Sequence, residues 1–377
     1  MAASANKSLL REVFALFLRL GLTAFGGPAA HIGLMQREAV ENRKWVSRER
    51  FLDLVGACNL LPGPGSTQVA MALGYSRAGW PGLVIAGACF ILPASLATLA
   101  LAWAYVRYGS LPLAQGVLYG AKPVMVAIVA QAVWNLGRMA FRRWQLALAG
   151  LLCFAAVLAG APAFPLLLVA GGLSLLAAWQ NARRTTAISF VLLPVGLGGA
   201  AATAGFASIF LVFLKLGVVV FGSGYVLLAF LKADLVDRLH WVTATQLLDA
   251  VTAGQLTPGP VFATATFLGY LVHGWAGAAL ATAGIFLPSF LMAGLVGALA
   301  GRIRQSKLAG AFLDGVNAAA IALMASVAIV LGRATLLDAW TWALGLASIV
   351  LLVRFKLNST WLILSGAALG ILLRGLL

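Results

Sequence analysis

Arg19 and Lys215 each stand six residues ahead of an equivalent phenylalanine, Phe25 and Phe221, inside apolar sequence. A cation in such a segment is costly and usually faces a cavity or a partner. Close by, the apolar runs break at Gly26-Gly27-Pro28, Pro62-Gly63-Pro64-Gly65, Gly222-Ser223-Gly224 and Pro258-Gly259-Pro260. Proline removes a helix hydrogen bond and glycine adds freedom, so a helix stops and restarts at each. A helix that restarts inside a protein points free N–H groups and the positive end of its dipole inward, which suits an anion. Asn59, Ser66, Thr67, Gln68, Gln255, Thr257 and Thr264 flank the breaks and can give neutral hydrogen bonds to an oxyanion. Two cations, helix N-termini and neutral donors together suit a small dianion. The competing reading of Arg19 and Lys215 is snorkelling to the membrane interface.

Other ionisable residues are candidates for coupling. Lys122 is matched in the second half of the chain by Asn317, with Asp314 one turn earlier. Lys122 is expected to complete an anion site asymmetrically, and Asp314 to serve as a proton or counter-ion partner. Asp53 and Asp249 are equivalent to each other; either they titrate in a proton-coupled cycle or they stabilise helix N-termini as first-turn acids. His31, just past the first break, is a candidate proton switch, with simple packing as the alternative. Glu38 with Asp234 and Glu41 with Asp237 read as solvated loop charges. No Walker A, HExxH or GxSxG pattern occurs, and histidine is confined to positions 31, 240 and 273. Neither an enzyme nor an ATP-driven pump is expected, nor a cofactor. Cys58, Cys89 and Cys153 are far apart and read as buried thiols, not as a disulfide or a metal site.

These residues need elements to hold them. The chain has 377 residues, 62% hydrophobic and 10% charged, with mean hydropathy +0.99. A soluble protein needs far more polar surface. Apolar runs long enough to cross about 30 Å of hydrocarbon recur throughout, so an all-α polytopic membrane protein is expected. The formal charge of +16 is spread in short clusters between spans, which argues against nucleic acid as a partner and for the positive-inside rule. The start MAASANKSLLREVF lacks a cleavage pattern, so the first apolar segment is expected to be retained.

The sequence is also written twice. Phe17–Pro64 aligns with 213–260 at an offset of 196, with 17 identities in 48 positions, including Trp45 with Trp241 and both Pro-Gly-Pro motifs. After one deletion the offset is 195, aligning Gly79-Trp80 with Gly274-Trp275 and Pro93 with Pro288. The expected domains are an N-terminal repeat at 1–185, a connecting span at 186–206 and a C-terminal repeat at 207–377. Basic clusters switch sides between the halves, which predicts inverted topology. Nine spans are expected near 80–106, 113–137, 145–161, 163–180, 187–206, 276–300, 308–332, 336–353 and 358–376. The segments 9–35, 51–75, 208–231 and 247–272 either cross once or turn back at their breaks as hairpins. The hairpin choice keeps Arg37, Arg43, Lys44, Arg48 and Arg50 on one basic side. Broken backbone at this depth is tolerated where it lines a cavity, and matched breaks in inverted repeats build midplane transport sites.

FGGP at Phe25–Pro28, Trp45-Val46-Ser47, LPGPGSTQ from Leu61, and the second-half FGSGY and LTPGP resemble the chromate ion transporter family in its long, two-domain form. That resemblance covers essentially the whole chain. It implies an exporter of chromate in the bacterial inner membrane, driven by the proton motive force and giving chromate resistance, with sulfate as the expected competitor. The family is usually drawn with about thirteen single spans, at odds with hairpins. A general oxyanion carrier and an anion channel are the alternatives, and a homodimer stays open.

Overall fold

The computed structural model describes residues 2–25, 27–59, 61–141, 144–161, 163–181, 204–220, 226–303, 307–355 and 357–376. These residues form helices and no strands. They are α1 (Ala2–Thr23), α2 (Gly27–Gln36), α3 (Arg48–Asn59), α4 (Gly65–Tyr108), α5 (Pro112–Ala140), α6 (Trp144–Leu158) and α7 (Ala163–Asn181), followed by α8 (Phe206–Val219), α9 (Val226–Leu231), α10 (Ala244–Leu256), α11 (Thr264–Ile303), α12 (Lys307–Thr335), α13 (Ala339–Arg354) and α14 (Ser359–Leu376). Among the described residues α4, α5, α11 and α12 contain apolar stretches long enough to cross a membrane, and shorter apolar helices accompany them. Large apolar side chains such as Trp134, Trp144 and Trp361 stand exposed, as lipid contact requires and water disfavours. The chain is a multi-pass membrane protein. Gly26, Gly222, Ser223, Gly224 and most of the expected connecting span 186–206 lie outside the described residues.

Backbone irregularities recur at matching positions. Arg37–Asn42 and Lys232–Arg238 are π-helical turns. Lys44 and His240 follow with φ of 51° and 53°. Gly63 and Gly259 have φ of 115° and 95°. The pairs Ala78-Gly79 and His273-Gly274 leave helical geometry in the same way.

That last irregularity reverses the chain. A straight helix of the 44 residues of α4 would reach about 66 Å, twice the hydrocarbon. Instead α4 folds back at Ala78-Gly79, so that a Cβ on Gly74 would come within 2.6 Å of Ala86 Cβ. Only glycine lets the two arms touch backbone to backbone there. Gly269 and Ala281 repeat the contact in α11, also at 2.6 Å. The sequence pattern placed spans from 80 and 276 onward, which is where the second arms begin.

Arg77, at the end of the first arm of α4, pairs with Glu12 of α1 at 2.7 Å and lies over the Trp45 ring at 5.4 Å. The early part of α1, the loop before α3 and the end of that arm therefore meet at one place. In the second half Phe206, at the start of α8, stacks on His273 at 4.6 Å. The second arms of α4 and α11 run antiparallel: Trp80 opposes Gly294, and Gly87 opposes Phe290. Beyond them the halves exchange partners. Helix α5 packs against α13 and α14, while α12 packs against α6 and α7. Gly116 and Gly120 of α5 lie against Gly370 and Gly366 of α14, the small-residue contact that membrane helices use to approach closely.

Candidate functional site

Each Pro-Gly-Pro break answers to the other half. Gly63 donates its N–H to the Val220 carbonyl at 2.7 Å, and Gly259 donates to the Ala24 carbonyl at 2.8 Å. Backbone groups freed by the breaks are thus satisfied across the repeat, as a lipid environment demands. Both glycines have left-handed φ, which an L side chain rarely adopts. A Cβ on Gly63 would approach Ser289 Oγ to 3.1 Å, and one on Gly259 would approach Ala94 Cβ to 2.9 Å. Ala94 and Ser289 are themselves equivalent positions, so each break rests on the long helix of the opposite half.

A cavity of about 10 Å³, the room for about one water, lies where three breaks converge. Pro28, Pro64, Gly65 and Ser66 line one side, and Pro260, Val261 and Phe262 the other. Gly65 opens α4, whose first-turn N–H groups have no helical acceptor. His31 is 1% exposed and ties two breaks together. Its Nε2 lies 3.1 Å from the Ala24 carbonyl, which can only accept, so Nε2 carries the hydrogen. Its Nδ1 faces Ser66 Oγ at 3.3 Å, and its ring meets Phe90 edge-on at 5.3 Å. Thr67 Oγ1, Gln68 Oε1 and Gln255 Nε2 are buried without a hydrogen-bond partner among the described residues. Gln68 Nε2 donates to the Pro62 carbonyl. Thr257 Oγ1 donates to the Gly254 carbonyl and lies 3.2 Å from Thr98 Oγ1. Asn59 is exposed beside Gly65, Gly27 is buried at the start of α2, and Pro62 and Pro258 are half-buried in their breaks.

The cations do not stand free at this cavity. Arg19 pairs with Glu38 at 2.7 Å, and Lys215 pairs with Asp234 at 2.8 Å. The pairs are related by the repeat offset, and each pins a π-helical turn to the helix before the break. The Glu38 and Asp234 side chains are only 17% and 9% exposed, so the expectation of solvated loop charges fails for them. The reason is local: the chain folds back after the break and returns the loop acid to the cation. Glu38 also takes Asn42 and Arg43, and Asp234 takes Arg238.

Lys122 is likewise engaged. Its Nζ lies 3.0 Å from Asp249 Oδ1, while the Tyr105 hydroxyl donates to Oδ2 at 2.9 Å. Asp249 is 2% exposed and sits in the second turn of α10, so it is not a first-turn acid at the helix end. Asp53 is half-buried on α3 and Asp314 is exposed on α12. Sequence reasoning missed Tyr105 and Phe262. The repeated Arg19–Glu38 and Lys215–Asp234 pattern was available in the alignment as a cation–acid pair at constant spacing.

Fold and cavity together define a class: a multi-pass membrane protein in which paired helix breaks enclose a small cavity lined by the start of a helix. The chain belongs to the chromate transporter family. The pattern described as "Chromate transporter" matches twice, at residues 11–176 and 207–371. The chain is 35% identical over 371 residues to the chromate transport protein of Cupriavidus metallidurans, covering 96% of this chain and 92% of that one. It is 33% identical to the probable chromate transport protein of Synechococcus elongatus, covering 90% and 89%. A chromate transport protein of Pseudomonas aeruginosa is also 33% identical, covering 86% and 81%. No solved structure matches the chain.

Proposed function

We propose that this protein is a secondary active carrier that exports chromate across the bacterial inner membrane and thereby confers chromate resistance. The observation that carries the reading is the cavity at the convergence of three breaks, with the start of α4 at Gly65–Ser66 on its wall, in a chain of the chromate transporter family. A dianion entering there meets the first-turn N–H groups of α4 and the Ser66 hydroxyl, with the buried Thr67 hydroxyl, which has no partner among the described residues, one residue behind. Arg19, Lys215 and Lys122 reach it by exchanging their carboxylates for the substrate. Asp249, buried against Lys122, then leads the coupling candidates.

In this reading the two halves are inverted repeats in the bilayer, and the segments around 9–35, 51–75, 208–231 and 247–272 are re-entrant hairpins. The meeting of Glu12, Trp45 and Arg77 supports the hairpins, because both ends of each first-half segment lie at one face. The antiparallel second arms of α4 and α11 support the inversion. The face carrying Arg37, Arg43, Lys44, Arg48 and Arg50 is then cytoplasmic. A membrane potential negative inside favours expulsion of a dianion by about 2.3 kcal/mol per charge per 100 mV.

The test is chromate uptake into everted vesicles, with potential and pH gradient collapsed separately and sulfate added in excess. Saturable, gradient-dependent uptake that resists sulfate supports a chromate exporter. Suppression by equimolar sulfate makes the protein a sulfate or general oxyanion carrier. Non-saturating flux that follows the potential alone makes it a channel.

A further inference from the structure

Ser66 and Phe262 each stand two residues after the last proline of their break and face the same cavity, one 3% and the other 1% exposed. On the first-half side the helix begins Gly65-Ser66-Thr67-Gln68, all small or polar. On the second-half side the same four positions read Val261-Phe262-Ala263-Thr264, with the first three wound into a tight 3-10 turn. One wall of the site is a donor surface and the opposite wall is an aromatic ring.

The walls also differ in what holds them. Ser66 is tied through His31 to the Ala24 carbonyl, and Gln68 is tied to the Pro62 carbonyl. Moving that wall breaks buried hydrogen bonds. The Phe262 ring has no donor or acceptor to tie it down, and it lies against Phe286, tilted, at 6.4 Å between ring centroids. A rotation there exchanges one set of dispersion contacts for another. With room for about one water, the cavity cannot admit a tetrahedral ion of four oxygens until one wall retreats.

We propose that Phe262 is the movable wall and sets the upper size limit on the oxyanion, so that it determines specificity without donating a hydrogen bond. This rests on the carrier reading above. The anion lies with three oxygens toward Gly65 and Ser66 and the fourth against the positive edge of the ring. Discrimination among tetrahedral dianions of equal charge is then steric and comes from the second half, while binding comes from the first.

The experiment compares uptake of sulfate, chromate and molybdate, in order of increasing size, by vesicles containing wild type, Phe262→Leu, Phe262→Ala or Ser66→Ala, each normalised to protein in the membrane. A change of one or more methylene groups in a pocket wall is worth roughly 10-fold or more in discrimination. Phe262→Ala is expected to raise the molybdate-to-chromate ratio by about 10-fold, and Phe262→Leu to raise it less. Ser66→Ala is expected to lower uptake of all three and leave their order unchanged. Should Phe262→Leu reach the membrane at wild-type level and reduce the three ions in equal proportion, the ring is structural and the inference is overturned. Absence of saturable uptake of any of the three by wild type overturns the carrier reading itself, and this inference with it.

Discussion

Positions 65–68 read Gly-Ser-Thr-Gln and positions 261–264 read Val-Phe-Ala-Thr, yet the backbone around them bends at the same places. The same contrast holds at the buried charges. Asp53 and Asp249 are equivalent, but Lys122 faces Asp249, and its counterpart is Asn317. The Arg19–Glu38 and Lys215–Asp234 pairs, by contrast, are kept in both halves. What is duplicated is what the broken chain needs to stay satisfied in lipid: left-handed turns, cross-repeat hydrogen bonds and pinned corners. What has diverged is what touches the cavity or adds a charge.

The comparison can be broken or sharpened by substitution, taken here from the largest expected effect. Asp249→Ala strands the Lys122 ammonium, and removing one partner of a buried pair costs about 3–5 kcal/mol. Asp53→Ala should cost less. Unfolding in detergent measures both, and Lys122→Met in the Asp249→Leu background should recover much of the loss. Equal losses at 53 and 249 would show that the halves are not asymmetric at this depth.

Lys215→Ala follows. The Lys215 side chain is 16% exposed and that of Arg19 53%, so losing Lys215 should cost about 3 kcal/mol and losing Arg19 at most about 1 kcal/mol. If Lys215 also serves the anion, Lys215→Arg keeps more chromate uptake than Lys215→Ala; wild-type transport by both variants rules that role out. Gly63→Ala and Gly259→Ala test the shared skeleton. Each puts a side chain at left-handed φ and should cost about 1–3 kcal/mol, with the two losses similar. A loss confined to one break would mean that its partner is held by something other than the repeated geometry. The smallest effects belong to the matched caps. Ser47 Oγ accepts from Arg50 N–H and Thr243 Oγ1 from Gln246 N–H, both at 3.1 Å. Alanine at either should lower stability by about 1 kcal/mol.

Much of the scaffold could be read in advance because proline and glycine act locally. The breaks at 62–64 and 258–260, the starts of the long arms near 80 and 276, and the duplication all leave marks in the linear order. Contacts between distant residues leave none. Lys122 and Asp249 meet across the two repeats, and nothing near either residue names the other. Arg19 and Glu38 were each noticed as duplicated, but their union depends on the chain turning back between them. Phe262 escaped notice because an aromatic residue in apolar sequence has no signal of its own; only its place two residues after Pro260, as Ser66 stands after Pro64, marks the position.

The crossed packing of the outer helices bears on how such a molecule is assembled. Because α5 rests on α13 and α14 while α12 rests on α6 and α7, neither half is a closed body. A single half made alone leaves the Gly116–Gly120 groove of α5 facing lipid and its last two helices without their seat. In the inverted arrangement proposed above, two half-length chains would have to enter the bilayer in opposite senses and find each other one to one. Joining them in one polypeptide settles stoichiometry and relative orientation at synthesis, and it frees each half to lose what the other supplies.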